Sequence, residues 1–318
     1  MNEHNSENVD VSVIVAAHNV ENYIARAIHS ALSQNGVTVE VVVADDASSD
    51  GTWRAIENIR DKRVRPIRLA TNEGPGTARN KALICAQGKW IAILDGDDQF
   101  LPGRLRRCLD LAKQKAADMV VDNLRVSEEN TGKAYPIFAW ARFGRHAFLN
   151  LEDFMAGNLT SSGRGFGYLK PLIARSFLER HAVFYDPDLR IGEDYIFMAD
   201  LLAAGAVCAV EPTEGYLYIA RAHSISYRLT PADVERMQAA DERFLVRHRL
   251  APVIQDLQKR RRQKLEEMYA YNRIVDALKR KAYGKALAHA IQSPAAALQL
   301  WEPVWVRVKR FSFSRKGI

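Results

Sequence analysis

The amino-acid sequence predicts an α/β fold: a mainly parallel central sheet covered by helices, followed by a helical, basic C-terminal region. Three observations predict it. Short β-branched runs alternate with amphipathic stretches from residue 10 to about 122. Two of those runs end abruptly in carboxylates. Beyond residue 230 helix formers and cations take over, with no glycine between Gly215 and Gly284. Repeated βα units put helices on both faces of a parallel sheet and ligands at the C-terminal ends of its strands.

Taken in order, Val11 to Val15 is a β-branched run suited to a buried parallel strand. Asn22 to Ser33 places Tyr23, Ile24, Ala27, Ile28, Ala31 and Leu32 at helical spacing. Val39 to Ala44 is the second strand, and Ser48-Ser49-Asp50 caps a helix over Trp53 to Ile59. Val64 to Leu69 is the third strand, Gly76 to Ala86 the third helix, and Trp90 to Leu94 the fourth strand. A helix over Leu105 to Lys115 leads to a fifth strand at Met119 to Val121. Residues 127–167, rich in Gly, Asn and aromatics without a clean period, read as loops and short helices over the sheet. The aromatics between Tyr135 and Phe148 are suited either to stacking on sugar rings or to packing on the sheet.

The charge is uneven. Residues 241–318 hold 18 Lys/Arg against 7 Asp/Glu, leaving 27 against 31 in residues 1–240, although the whole chain carries +7. Cys85, Cys108 and Cys208 share no CxxC spacing, and three cannot all pair, which suits a reduced, cytoplasmic setting. The polar, acidic start (residues 1–9, expected to be flexible) is unlike a signal peptide. The best apolar run, Leu201 to Val210, is shorter than the roughly 20 residues of a spanning helix. A soluble or membrane-peripheral protein is expected.

Four stretches carry chemistry. Trp90 to Asp98 is an apolar strand running into Asp95, Asp97 and Asp98. Clustered carboxylates repel unless a cation compensates, and oxygen ligands at a strand end suit Mg²⁺ or Mn²⁺. Val41 to Asp46 is a second strand ending in carboxylates, and parallel strands can present both sets to one crevice. Asn72 to Asn80 contains Gly74 and Gly76 at a helix start, where free N–H groups favour anions, with Arg79 in the first turn. Gly192-Glu193-Asp194 opens a further helix, where acids suit the helix dipole or supply a general base for an acceptor hydroxyl.

In this order the motifs resemble the family 2 glycosyltransferases, with their GT-A nucleotide-sugar fold. The resemblance covers residues 10–228 and rests on Val11 to Asn19, Ala31 to Gln34, Asp45 to Thr52, Asn72 to Asn80, Asp95 to Asp98, Gly192 to Asp194 and Tyr216 to Tyr218. More loosely, the chain is similar to glucosyltransferases that build exopolysaccharides such as succinoglycan. The resemblance implies a nucleotide-sugar-binding half (10–122), an acceptor-binding half (123–228) and a helical region (229–318). It implies that Ala16, Asn19, Asp46, Arg79, Asp95, Gly96 and Asp97 hold the donor, with Asp46 at its base or ribose and Asp95 at the ribose. It further implies that Asp97, with Asp95 and His223, holds Mn²⁺ or Mg²⁺ at the diphosphate. Asp194 would be the catalytic base, with Glu193 positioning the acceptor. The chain departs from the family at Ala16 and His18, where Pro and Tyr are common, and at Ala47, where Gly is common.

These residues together predict an inverting glycosyltransferase: a cation at the departing diphosphate, one base opposite, and no covalent nucleophile; the sugar expected by resemblance is a hexose such as glucose. The donor expected is a UDP-sugar, and the acceptor a glycan or lipid-linked oligosaccharide. Trp301, Trp305 and Phe311 among cations suit an anionic membrane surface at the inner face of the cell membrane; a packed appendage with a solvated basic face is the alternative. A sugar-nucleotide pyrophosphorylase would need a Gly-rich basic loop where Ala16 to Val20 stand. A nucleic-acid binder is disfavoured because acidic strand ends repel phosphate and the tail has no base-reading motif.

Overall fold

The computed structural model of the protein describes residues 9–139, 143–144, 146–159, 165–221 and 229–299. Its centre is a nine-stranded sheet in the order β3-β2-β1-β4-β8-β6-β9-β5, with β7 paired to β6. The first half is parallel: β1 (Val11–Ala17) lies between β2 (Val39–Asp45) and β4 (Trp90–Asp95), and β3 (Val64–Arg68) flanks β2. Every residue of β2 is buried, and Val39 and Val41 to Val43 give it the β-branched character of a buried parallel strand. Helices α1 (Ile24–Leu32), α2 (Thr52–Glu57) and α3 (Pro75–Cys85) return the chain between these strands. In this register Ala17 pairs with Asp45 and Ala16 with Asp95, so both acidic strand ends meet at the end of β1.

Beyond β4 the sheet becomes mixed. The two-residue β5 (Gln99–Phe100) and α4 (Arg104–Lys115) lead into β6 (Met119–Glu128), which runs well past the three residues expected from its apolar core. β7 (Ala134–Pro136), α5 (Leu151–Asn158) and a 3₁₀ turn at Phe166–Tyr168 fill the segment expected to hold loops and short helices. β8 (Leu172–Ala174) inserts antiparallel between β4 and β6. After α6 (Arg175–His181) and α7 (Glu193–Ala203), β9 (Cys208–Ala220) runs parallel to β6 with a register shift at Asp122, Asn123 and Leu124. Phe138, Phe143 and Phe166 form a buried ring cluster with centroids 5.1–5.9 Å apart, so the first two pack rather than face the cleft.

The C-terminal region is helical as expected: α8 (Pro231–Arg247), α9 (Pro252–Lys279), α10 (Tyr283–Gln292) and α11 (Pro294–Gln299). Thr230 and Asp233 form a reciprocal capping box at the start of α8, and proline occupies the first position of α8 and α9. Val234, Phe244, Ile254, Leu257 and Leu265 belong to the same hydrophobic core as the sheet, and α9 packs on α5 and α8. Ile274, Ala277, Ala286 and Ala296 make a small separate cluster further out. Arg260, Arg262, Arg273, Lys279, Arg280, Lys281 and Lys285 face solvent. Among the described residues, no helix is long and apolar enough to cross a membrane. Trp301, Trp305 and Phe311 lie outside the described residues.

Candidate active site

The ends of β1, β2 and β4, the start of α3 and the start of α7 open into one cleft of about 790 Å³. At its floor five charged side chains interlock. Arg79, only 4% exposed, sends Nη2 to Asp95 Oδ1 at 2.5 Å and Nη1 to Glu193 Oε1 at 2.8 Å. The same Nη1 lies 3.4 Å from Asp194 Oδ1. Lys170 closes the ring, with Nζ 2.7 Å from Asp95 Oδ2 and 2.5 Å from Asp194 Oδ2. Glu193 and Asp194 open α7, where the helix dipole favours acids, and Gly192 enters at φ 85°, a conformation glycine adopts without strain.

The protonation pattern follows from these contacts. Burial pushes the Asp95 carboxyl up, but Lys170 and Arg79 outweigh it and hold the group well below the usual carboxylate range. Glu193 is shifted the other way, raised by burial and by its neighbour Asp194 against the pull of Arg79. Burial tends to strip the Lys170 proton, and Asp194 and Asp95 reverse this, raising it well above an ordinary lysine.

Asp97 and Asp98 have separate fates. Asp97 pairs with the Arg221 guanidinium; burial and Asp95 raise its pKa against that pull. Asp98 turns inward, accepting from the Tyr216 hydroxyl at 2.8 Å and from the Ile219 N–H at 2.8 Å. Burial, Asp97 and Asp95 push it well above the carboxylate range, so it ties β5 to β9 as a structural acid. Gly96 packs tightly: a Cβ there would stand 3.0 Å from the Ala16 carbonyl oxygen and 3.2 Å from Val20 Cγ2, so the neighbours would have to give slightly.

The donor-side expectations divide. Ala16, Asp46, Arg79, Asp95, Gly96 and Asp97 line the cleft together. The Asp46 carboxylate already accepts from the Glu73 and Gly74 N–H groups at 2.7 and 2.8 Å, so it shapes the loop before α3. Asn19 does not line the cleft. It sits exposed at φ 52°, its N–H donating to Ser48 Oγ and its side-chain oxygen accepting from Ser49 N–H. Ala47 also adopts φ 52°, which explains why glycine is at home there. His18 reaches the Asp46 carbonyl through Nδ1 at 2.8 Å and faces the Asn72 side chain. Asp50 accepts from the Thr52 N–H at 2.9 Å, but the N-cap of α2 is Gly51 and no side chain caps that helix, so the cap expected at Ser48 to Asp50 is displaced by one residue. His223 lies outside the described residues.

The sequence did not signal Lys170, Arg221 or the opposite wall. Lys170 stands alone between Leu169 and Pro171, and its carboxylate partners are brought to it only by the fold. The opposite wall is supplied by α9: Arg261, Lys264, Leu265 and Met268 face the cleft with Met155, Leu159 and Tyr168. Arg261 is anchored there by Asp241 at 3.0 Å and lies 3.5 Å over the Tyr195 ring.

Comparison with known proteins agrees with this geometry. The family model described as Glycosyl transferase family 2 matches residues 12–168. The chain is 44% identical over 304 residues to the succinoglycan biosynthesis protein ExoO of Rhizobium meliloti (strain 1021), covering 95% of this chain and 87% of that protein. It is 33% identical over 296 residues to ExoU, also a succinoglycan biosynthesis protein of that strain, covering 90% and 84%. The crystal structure of S. aureus TarS 1-349 in complex with UDP-GlcNAc superposes with a TM-score of 0.67 at 20% identity, covering 91% of this chain and 81% of that one.

Proposed function

The chain belongs to the family 2 glycosyltransferases, with a GT-A fold, and on that premise we propose that it is an inverting hexosyltransferase taking its sugar from a UDP-sugar. The acceptor in this reading is a glycan or lipid-linked oligosaccharide on the way to an exopolysaccharide. The carrying observation is the interlocked floor of Asp95, Arg79, Lys170, Glu193 and Asp194, set at the parallel strand ends with Asp97 beside it. The overall likeness to two succinoglycan biosynthesis proteins supports an exopolysaccharide product, and the UDP-GlcNAc complex of TarS supports a UDP-sugar donor.

In this reading the acceptor hydroxyl gives its proton to Asp194 while its oxygen forms a bond to the anomeric carbon. The bond from that carbon to the diphosphate oxygen breaks, and the nucleoside diphosphate leaves. Arg79 holds Glu193 and Asp95 in place during the step. A single attack from one face inverts the anomeric centre.

A divalent cation fits this site through Asp97. Among the described residues, no three His, Cys, Asp or Glu side chains gather as a cage. Mg²⁺ and Mn²⁺ do not require one, binding through one or two carboxylates plus phosphate oxygens and water. Asp97, whose carboxyl is raised by burial and by Asp95, ionises more readily beside a cation. Asp95 is held by two cations, Arg79 and Lys170, and Asp97 by Arg221 alone, so Asp97 is the main protein ligand in this proposal; His223, outside the described residues, is the further ligand proposed. The ion would offset charge on the departing diphosphate.

The exposed cations of α9 and α10 support contact with an anionic membrane at the cytoplasmic face, alongside the basic final segment. The test of the enzymatic reading is a release-and-transfer screen across UDP-, GDP- and TDP-sugars with Mn²⁺ and with EDTA. Turnover of a UDP-hexose that stops in EDTA is expected. Turnover of none of them would overturn it.

A further inference from the structure

Lys170 stands out among the groups at the cleft floor because its chain position is fixed from two sides. Its side chain is only 6% exposed and bridges Asp95 and Asp194. Its backbone carbonyl accepts from Arg104 Nη2 at 2.5 Å. Arg104 in turn grips Asp122 through Nε and Nη2 at 2.7 and 2.8 Å, and both members of that pair are 1% exposed. Arg104 lies 4.4 Å over the Phe100 ring and 5.3 Å over Tyr216. Gly215 makes room for the pair, since a Cβ there would stand 2.0 Å from Asp122 Oδ2. A buried ion pair thus carries the backbone from which the ammonium reaches the cleft.

Burying a lysine costs free energy unless its charge is fully met. Here it is met by two carboxylates, and one of them is Asp194. With Oδ2 on Lys170 and Oδ1 facing Arg79, the Asp194 carboxylate is held at both oxygens and cannot rotate freely. A base must present one oxygen to the acceptor hydroxyl in a fixed direction, and small misplacements of such groups cost large factors in rate. When Asp194 takes a proton its hold on Lys170 weakens, yet Lys170 keeps Asp95 and its charge stays compensated.

We infer that Lys170 is a positioning residue for the transfer step, acting through Asp194 by fixing that carboxylate against Asp95. This rests on the glycosyltransferase reading of the cleft. The test uses the full chain and whichever nucleotide-sugar the wild type turns over, following nucleoside diphosphate release with water as acceptor. Lys170→Met, Lys170→Arg, Asp194→Asn and the double variant Lys170→Met/Asp194→Asn are compared.

The expected result is a kcat about 10- to 100-fold lower in Lys170→Met. Donor KM and UDP affinity by calorimetry stay within about twofold, and Lys170→Arg recovers most of the rate. Because the residue acts through Asp194, the double variant is no slower than Asp194→Asn within about twofold. If Lys170→Met does not fold, Lys170→Gln carries the same expectations.

Three results would overturn the inference: a UDP affinity that falls as far as the rate, rate losses that add in the double variant, or a Lys170→Arg no better than Lys170→Met. A wild-type rate in Asp194→Asn would instead sink the parent reading of the base. An inactive Asp194→Asn beside an unaffected Lys170→Met would sink the Lys170 role alone.

Discussion

Replacing Arg79 by methionine removes the one guanidinium that faces Asp95, Glu193 and Asp194 together, at 2.5, 2.8 and 3.4 Å. Methionine keeps an apolar stem against the Tyr185 ring, over which the guanidinium now lies at 5.1 Å, so lost packing is minor. The loss is electrostatic: three carboxylates are left with Lys170 as their remaining close cation at the floor. Breaking a buried ion pair by removing one partner costs about 3–5 kcal/mol. At about 2 °C per kcal/mol for a chain of this size, the melting temperature falls by about 6–10 °C at pH 7.5. The pH dependence follows from Glu193, whose carboxyl burial and Asp194 already raise and which Arg79 pulls down. Without Arg79 it rises further, so the folded variant keeps a proton that the unfolded chain releases above about pH 4.3. A folded state that binds more protons loses stability as pH climbs from the unfolded to the folded pKa. The deficit against wild type therefore widens as pH rises above the unfolded carboxylate range and narrows as pH falls towards it. Thermal melts of both proteins across pH 5–8 measure it. A melting temperature within about 1 °C of wild type at pH 7.5, or a deficit independent of pH, would refute the reasoning.

Asp97→Ala is expected to remain folded, because it removes a carboxylate that burial and Asp95 disfavour, while losing most activity and metal-assisted UDP binding. UDP titrations with and without Mn²⁺ check this, and an unchanged metal effect counts against Asp97 as the ligand. Asp194→Asn is expected to bind donor normally and lose transfer by roughly two to four orders of magnitude, the scale of general-base removal. Normal transfer in Asp194→Asn beside a dead Glu193→Gln would exchange the two roles. The exposed cations of α9 and α10 are expected to bind anionic but not neutral vesicles, at about 1 kcal/mol per engaged cation, and to release in high salt. The measurement uses the full chain with Arg260→Glu, Lys279→Glu, Lys281→Glu and Lys285→Glu, because a cut near 255 would strip Leu257 and Leu265 from the core. Equal binding to both vesicle types, or to neither, would leave the region as a packing appendage.

The parallel half of the sheet was legible because strands buried on both faces are largely apolar, and β1, β2 and β4 are so apart from Ser12, Glu40 and their acidic ends. Their acidic ends were legible for the complementary reason that nothing in a buried strand calls for Asp45, Asp46, Asp95 and Asp97. β9 was hidden by its middle, where Glu211, Pro212, Thr213, Glu214 and Gly215 accommodate the register shift against β6 and break any strand pattern. Asp98 shared a motif with Asp95 and Asp97, but its inward role depends on Tyr216, a residue of that hidden strand. Lys170 and Arg221 have no local signature at all. Each is defined by carboxylates far away in sequence, and tertiary pairing of single side chains leaves no period to read.

The surplus positive charge of the C-terminal region has a partial explanation within the fold. At the cleft, Asp95, Asp97, Glu193 and Asp194 meet Arg79, Lys170 and Arg221, so acids outnumber bases on the wall built by the sheet. An arriving diphosphate would be repelled by that wall alone, and burial strengthens the repulsion by lowering the local dielectric. The opposing wall carries Arg261 and Lys264 from α9, and Arg190 also faces the cleft. A cation meant only for a lipid surface would point to solvent, whereas Arg261 is 13% exposed, paired with Asp241 and stacked on Tyr195. Residues 260–262 therefore divide by helical phase, with Arg260 and Arg262 outward and Arg261 inward. One helix thus offers cations to two places: the solvent, where a membrane could meet them, and the cleft, where a diphosphate could.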